Sequence, residues 1–310
     1  MKTPPFKTDR SRRELLRDLA AGALALKVLP SQLSAQTAKP VASAKFADVF
    51  ALDDNVWAVI SKPLTGGFET VCNGAFVAGS ERVVMFDAFA SPGGAEWVLE
   101  ACRKATGRTP TDLVLSHKHM DHVGGLKAFA ELEAPPKLWT TEPTRSALPG
   151  GWSGSIEVLD EGSASTLDVG GGSLELVTRS GHTASDVFAV VDDRINLAGD
   201  LFWNFFFPNF VDARPLELQA SVRELLDRQV DSFVPGHGDL PSAEDFRTYA
   251  EALTAVETAA RKGHEAGTPA GQAAAAFKLP SSLGDWTLFG QDYFEKAFKA
   301  WYRDLGAPNG

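Results

Sequence analysis

The run Ser116-His117-Lys118-His119-Met120-Asp121-His122-Val123-Gly124-Gly125 packs four potential metal-ligating side chains into six positions. His117 and His119 are two residues apart, so in an extended segment their rings point to one side, whereas Asp121 and His122 need a tight turn to converge with them. One short loop therefore has ligands for two ions. Further candidates lie in Gly181-His182-Thr183, in Ala198-Gly199-Asp200 and in Pro235-Gly236-His237-Gly238. Glycine beside a ligand lets the backbone turn sharply at a strand end and aim the side chain inward. Of the six histidines only His264 falls outside these motifs, and it is expected to be a solvated side chain.

Imidazole and carboxylate together suit zinc first, with iron and manganese also compatible with such ligands. Five histidines and two aspartates exceed the needs of a closed tetrahedral site, so two adjacent metals sharing a water are the economical arrangement. Such a water attacks a carbonyl or ester carbon, and Asp121 is the candidate to orient it or to pass a proton to the leaving group.

The elements that would position these residues alternate between short apolar runs and amphipathic stretches. Strands are expected at 56–60, 71–77 and 82–86, then a helix over 92–106 with Pro92 at its start and Gly107 just beyond its end. A buried strand at 113–115 delivers the chain to the histidine cluster, and Gly124-Gly125 permits a tight exit into a helix over 126–131. Strands follow at 137–140, 156–159, 174–178, 187–191 and 195–198, a helix at 216–230 and a strand at 232–234. Helices over 245–263, 272–277 and 291–304 close the chain. Each ligand is thus expected just after a strand, where α/β folds gather ligands.

The pattern His117-x-His119-x-Asp121-His122, followed by His182, Asp200 and His237, resembles that of the metallo-β-lactamase-fold hydrolase superfamily, with its motifs spanning roughly residues 87–237. The resemblance implies an α/β four-layer αβ/βα sandwich with a helical C-terminal extension, and two Zn²⁺ per chain at one edge between two mixed sheets. It implies that His117, His119 and His182 bind the first metal, that Asp121, His122 and His237 bind the second, and that Asp200 bridges them. Asp87 would stand behind the metal loop and orient ligand groups without binding. In that superfamily a bridging aspartate is typical of the glyoxalase II, lactonase and esterase-like branches, and the β-lactamase branches usually lack it. The implied activity is hydrolysis of a small ester, lactone, thioester or amide. A periplasmic metallo-β-lactamase is the runner-up, followed by an iron-dependent persulfide dioxygenase-like oxidoreductase and by a metal-holding assembly component without turnover. The basic residues of a glutathione site are not recognisable in the helical tail.

Two segments are candidates for the substrate pocket. The rings of Phe202, Trp203, Phe205, Phe206 and Phe207 follow Asp200 closely and form either an apolar wall for substrate or packing for the C-terminal helices. Phe68 ends Leu64-Thr65-Gly66-Gly67-Phe68, which is either a mobile hairpin over the site or a plain turn.

Composition bounds the rest. With 310 residues, 44% hydrophobic, the chain can bury a sizeable core, and a net charge of −10 with pI near 5.1 disfavours nucleic acid as a partner. A small-molecule substrate is expected instead. Residues 1–35 resemble a twin-arginine signal peptide: Arg12-Arg13 precedes an apolar run and Leu33-Ser34-Ala35, a small-residue cleavage candidate. The apolar run contains Lys27 and falls well short of the roughly 20 residues of a membrane span, so a cleaved signal fits better than a stable anchor. This predicts engagement by the twin-arginine export machinery and a periplasmic or otherwise exported location, with an amphipathic N-terminal helix as the alternative. Removing this segment, which carries +4, takes the charge from −10 to −14. The expected divisions are therefore a signal at 1–35, a linker at 36–44, a catalytic domain at 45–242 and the helical extension at 243–310. Cys72 and Cys102 are too few for a disulfide scaffold and either pair or remain two buried thiols.

Overall fold

Alternating side chains in the strands sort the apolar residues into three separate layers. In the strand Val56–Ser61, Val56, Ala58 and Ile60 enter one core while Val59 enters another. In Val83–Phe86, Val84 and Phe86 part from Val83 and Met85 in the same way. In Asp186–Val191, Val187, Ala189 and Val191 face the shared core, whereas Phe188 and Val190 face outward into a third. A strand buried on both faces in this manner lies inside a sandwich.

The computed structural model of the chain describes residues 39–148 and 150–306; the segment expected to be a signal peptide lies outside the described residues. The first sheet has eight strands in sequence order: β1 (Ala42–Ser43), β2 (Ala47–Asp53), β3 (Val56–Ser61), β4 (Gly74–Ala78), β5 (Val83–Phe86), β6 (Asp112–Val114), β7 (Lys137–Thr141) and β8 (Ile156–Leu159). It is antiparallel through β5 and parallel from β5 to β8. The second sheet runs in the order β13 (Ser232–His237), β12 (Ile195–Trp203), β11 (Asp186–Val191), β10 (Ser173–Arg179) and β9 (Ala164–Asp168), with only β12 and β13 parallel. The shared core between the sheets joins Ala58, Val84 and Val114 to Leu176, Ala189 and Leu197.

Helices cover both outer faces. On the first sheet lie α1 (Pro92–Thr106) and the short α2 (Met120–Val123), α3 (Leu126–Ala130) and α4 (Glu142–Ala147). Ser91 caps α1 by accepting from the Gly94 N–H at 3.1 Å, Pro92 opens it, and Gly107 ends it with φ of 72°. On the second sheet lie α5 (Pro215–Asp227), α6 (Ala243–Glu265), α7 (Ala270–Ala276) and α8 (Tyr293–Leu305). The fold is therefore a four-layer αβ/βα sandwich with a helical C-terminal extension. Among the described residues no helix is long and apolar enough to cross a membrane.

The extension shares one core with the second sheet. Phe246, Tyr249 and Leu253 of α6 and Phe298 and Trp301 of α8 pack with Phe202, Phe233, Leu218 and Val222. Trp301 is 1% exposed, with the Arg261 guanidinium 5.5 Å from its ring. Trp301→Ala is therefore expected to cost about 3–5 kcal/mol, read as a lower midpoint in urea unfolding. A loss below about 1 kcal/mol would mean that the extension is not integral to the core.

Several sequence expectations shift. The segment expected as a linker already contains β1, which pairs with β2, and β2 and β9 were not anticipated. Their mixed polar and apolar residues hide the alternation. The strand expected at 71–77 begins at Gly74, because Val71 takes a positive φ of 61°. Cys72 and Cys102 are free and buried, and burial raises their thiols to about 12 and about 11 respectively. His264 is not simply solvated: its Nε2 hydrogen bonds the Gly306 carbonyl at 2.7 Å and its ring meets Tyr302 edge-on.

Candidate metal centre

Two connections, one short helix and two strands bring the candidate ligands together at one edge of the sandwich. β6 ends at Val114 and hands the chain to Ser116 and His117, and α2 begins directly after His119, turning Asp121 and His122 back toward them. His182 lies in the link between β10 and β11, which is tightened by the Thr183 hydroxyl donating to Asp186 at 2.7 Å. Asp200 and His237 are not beyond their strands but within them. β12 runs on to Trp203 through a register shift around Gly199, whose φ is 51°, and His237 is the last residue of β13. Such a bulge re-aims a side chain while keeping it on a rigid element. Gly236 is required by close approach: a Cβ there would lie 2.1 Å from Asp200 Oδ1.

The side chains form two groups joined by one carboxylate. His117 Nε2 and His182 Nε2 approach His119 Nδ1 at 2.9 and 3.0 Å, and Asp200 Oδ2 lies 3.6 Å from His117 Nε2 and 3.1 Å from His182 Nε2. Asp200 Oδ1 faces the other way, 3.2 Å from His122 Nε2 and 3.4 Å from His237 Nε2. Asp121 Oδ2 completes this second group, 3.3 Å from His237 Nε2 and 3.7 Å from His122 Nε2.

The donor set fits metal ions. Nitrogens bound at about 2.0 Å to a tetrahedral zinc lie about 3.3 Å apart, close to the spacings found here. His122 Nε2, His237 Nε2 and Asp200 Oδ1 are buried without a hydrogen-bond partner, which a folded protein tolerates poorly unless something else satisfies them. Both groups can each hold a metal.

Electrostatics differ between the groups. Burial, then the neighbouring imidazoles, hold His117 well below the usual histidine range and bring His119 down to about 4, so these two present neutral nitrogens ready to bind. In the second group burial is outweighed by Asp200 and Asp121, which raise His237 to about 9. Asp121 falls to about 2 as His122 and His237 overcome its burial. In the metal-free chain a proton thus occupies the second group.

Asp87 sits beneath the metal loop and is fully buried. It accepts from the Ser116 N–H at 2.8 Å and the Ser116 hydroxyl at 2.9 Å, and lies 2.8 Å from His122 Nδ1. Three supports were invisible in the sequence. Asp212 lies 3.1 Å from His119 Nε2. Asn73 donates to the Pro235 and Gly238 carbonyls at 3.0 and 2.7 Å and so braces the His237 turn. Phe289, from the extension, meets the His237 ring at 5.9 Å. None belongs to a motif, and each is brought in by tertiary structure alone.

The aromatic run divides. Trp203 stacks obliquely on His237 at 4.0 Å and lies 5.9 Å from His182. Phe206 stacks on Phe289 at 4.9 Å, and Phe205 meets Trp286 at 5.5 Å; both are partly exposed. Phe202 and Phe207 are not available as pocket walls, because both are fully buried against Phe246 and Phe294 respectively. Phe68 is 72% exposed on its loop.

Comparison with known proteins agrees with this geometry. The family model described as "Metallo-beta-lactamase superfamily" matches residues 67–237. Among curated relatives, hydroxyacylglutathione hydrolase of Xylella fastidiosa is 27% identical over 149 residues, covering 48% of this chain and 52% of that protein. Metallo-beta-lactamase type 2 of Bacillus cereus is 25% identical over 199 residues, 61% of this chain and 75% of that protein. The chain spans about half the length of the hydroxyacylglutathione hydrolases it matches. Solved structures share the fold: a metallo-beta-lactamase from Pontibacter korlensis has a TM-score of 0.57 at 22% identity, covering 67% of this chain and 99% of that one. An inverting sec-alkylsulfatase from Pseudomonas sp. has a TM-score of 0.66 at 15% identity, covering 83% and 50%.

Proposed function

Because this chain belongs to the metallo-beta-lactamase superfamily, we propose that it is a dinuclear zinc hydrolase acting on a small ester, lactone, thioester or amide. The observation that carries this reading is Asp200, whose two carboxylate oxygens each face a different histidine group. His117, His119 and His182 would hold one ion, Asp121, His122 and His237 the other, and Asp200 both. Zinc bound there supplies Lewis acidity and a water that loses its proton near neutral pH. Asp121 is the more exposed of the two carboxylates, with 29% of its side chain accessible, so it is the group able to exchange a proton with a leaving group. Phe206 and Phe289, both partly exposed, offer an apolar wall that limits water and receives an acyl or ring-bearing group, with Trp203 buried behind them against His237.

The test is turnover of p-nitrophenyl esters, lactones, thioesters and nitrocefin by protein whose metal content is measured in the same preparation. Ester, lactone or thioester turnover with two zinc ions per chain supports the proposal. Exclusive nitrocefin turnover would move it to the β-lactamase reading, and one iron per chain with no hydrolysis would sink it.

Metal uptake should depend on pH in a definite direction. His237 carries a proton below about 9 in the metal-free chain and His122 is also raised well above the usual range, so binding at the second group must displace protons and affinity there rises with pH through about 9. In the first group His119 titrates near 4 and burial holds His117 well below the usual range, so neither carries such a proton at pH 6. Dialysis against limiting zinc should therefore leave close to one equivalent at pH 6 and two near pH 9. Equal occupancy at both would contradict this.

Export by the twin-arginine route is part of the same proposal and rests on the order of Arg12-Arg13, apolar run and Leu33-Ser34-Ala35. Replacing both arginines by lysine should retain the full chain in the cytoplasmic fraction. Unchanged fractionation would remove the assignment.

A further inference from the structure

We infer that Asp212 is a positioning residue for His119 and that it ties the aromatic loop to occupancy of the first metal position, an inference that rests on the zinc reading above. His119 differs from His117 and His182 in turning Nδ1, not Nε2, into the group. To leave the Nδ1 lone pair free, its proton must sit on Nε2, and Nε2 lies 3.1 Å from Asp212 Oδ2. Lys118, next to His119 in sequence, holds the same carboxylate oxygen at 2.9 Å. Without an acceptor at that point the ring gains the opposite tautomer, which would aim an N–H at the metal.

The same residue lies near the end of the loop that links β12 to α5. Asn204 at its start donates its N–H to the His237 carbonyl at 2.8 Å, and Arg214 at its end donates to the Gly181 carbonyl at 2.8 Å, beside His182. Between these ties the loop carries Phe205 and Phe206 against Trp286 and Phe289. A metal held by the first group would fix the His119 ring, which through its Nε2 contact with Asp212 would steady the loop that forms the proposed substrate wall. Linkage makes this reciprocal: loop order favours metal binding by the same free energy. Asp212 is itself 38% exposed on its side chain, so a purely structural contribution is small and separable.

The experiment compares wild type, Asp212→Asn and Asp212→Ala by zinc competition with a chelator, by the absorption spectrum of the cobalt-substituted protein and by hydrogen exchange over residues 205–213. In Asp212→Ala the tighter zinc equivalent should weaken about 10–100-fold and the cobalt spectrum should change. Asp212→Asn, which keeps an acceptor, should fall between. Exchange in the loop should slow on zinc addition in wild type but not in Asp212→Ala. Unchanged zinc affinity, or equal zinc-dependent protection in the alanine variant, overturns the inference while leaving the zinc reading intact. A wild-type chain that takes up no zinc overturns both.

Discussion

Asp200→Asn is expected to lower hydrolysis by more than about 100-fold, the upper range for residues that merely orient ligands. The substitution preserves shape but removes the single negative charge that both histidine groups share, 3.1 Å from His182 Nε2 on one oxygen and 3.2 Å from His122 Nε2 on the other. One of the two groups would then meet an amide N–H₂ where it now meets a carboxylate oxygen. Metal content should fall together with activity, to at most one zinc per chain. A second signature lies in the metal-free protein. Asp200 is the largest influence raising His237 to about 9, against the opposing effect of burial, so the histidine should titrate lower in the variant, visible in its imidazole NMR signals. Asp200→Glu should not rescue, because the carboxylate already touches the space above Gly236 and has no room to lengthen. Retained activity in Asp200→Asn with two zinc ions bound would show that the carboxylate is dispensable.

The residues that converge at the site were legible in the sequence because potential ligands leave a chemical trace. His182 and His237 sit beside glycine and His117, His119 and His122 crowd one short run, and all five converge here with Asp121 and Asp200. The sandwich was legible from the rhythm of strands and helices, and α1 from Pro92 and Gly107. What sequence could not supply was the reason behind particular residues. Gly124-Gly125 suggested a conformational need, yet both have ordinary right-handed angles of −64° and −83°. They are glycine because a Cβ at either would lie about 2 Å from the Ala90 or Ala88 carbonyl, where the metal loop presses on the segment after β5. Phe202 and Phe207 look the same as Phe205 and Phe206 on paper. Alternation within β12 and the approach of α6 and α8 decide which rings are buried. Asn73 and Asp212 act on His237 and His119 from far along the chain, a relation that only the fold creates.

Asp87 should show how much of the site depends on a residue outside the two histidine groups. The Ser116 hydroxyl donates to Asp87 and lies 3.0 Å from His117 Nδ1, while His122 Nδ1 lies 2.8 Å from the same carboxylate oxygen. One buried charge therefore favours protonated Nδ1, and a free Nε2, on one ligand of each group. Asp87 also has a positive φ of 68°, which asparagine tolerates and alanine does not. Asp87→Asn keeps the backbone and one acceptor but loses the charge, so activity and zinc affinity should drop about 10–100-fold. Stability should fall by about 1–3 kcal/mol, the cost of leaving a buried donor unmatched. Asp87→Ala adds about 1–3 kcal/mol of backbone strain, and Asp87→Gly removes that strain without restoring an acceptor. The alanine and glycine variants should thus differ in unfolding midpoint while sharing the same loss of activity. If glycine at this position recovered the rate, backbone shape would govern the ligands, and the role assigned to the carboxylate would be wrong.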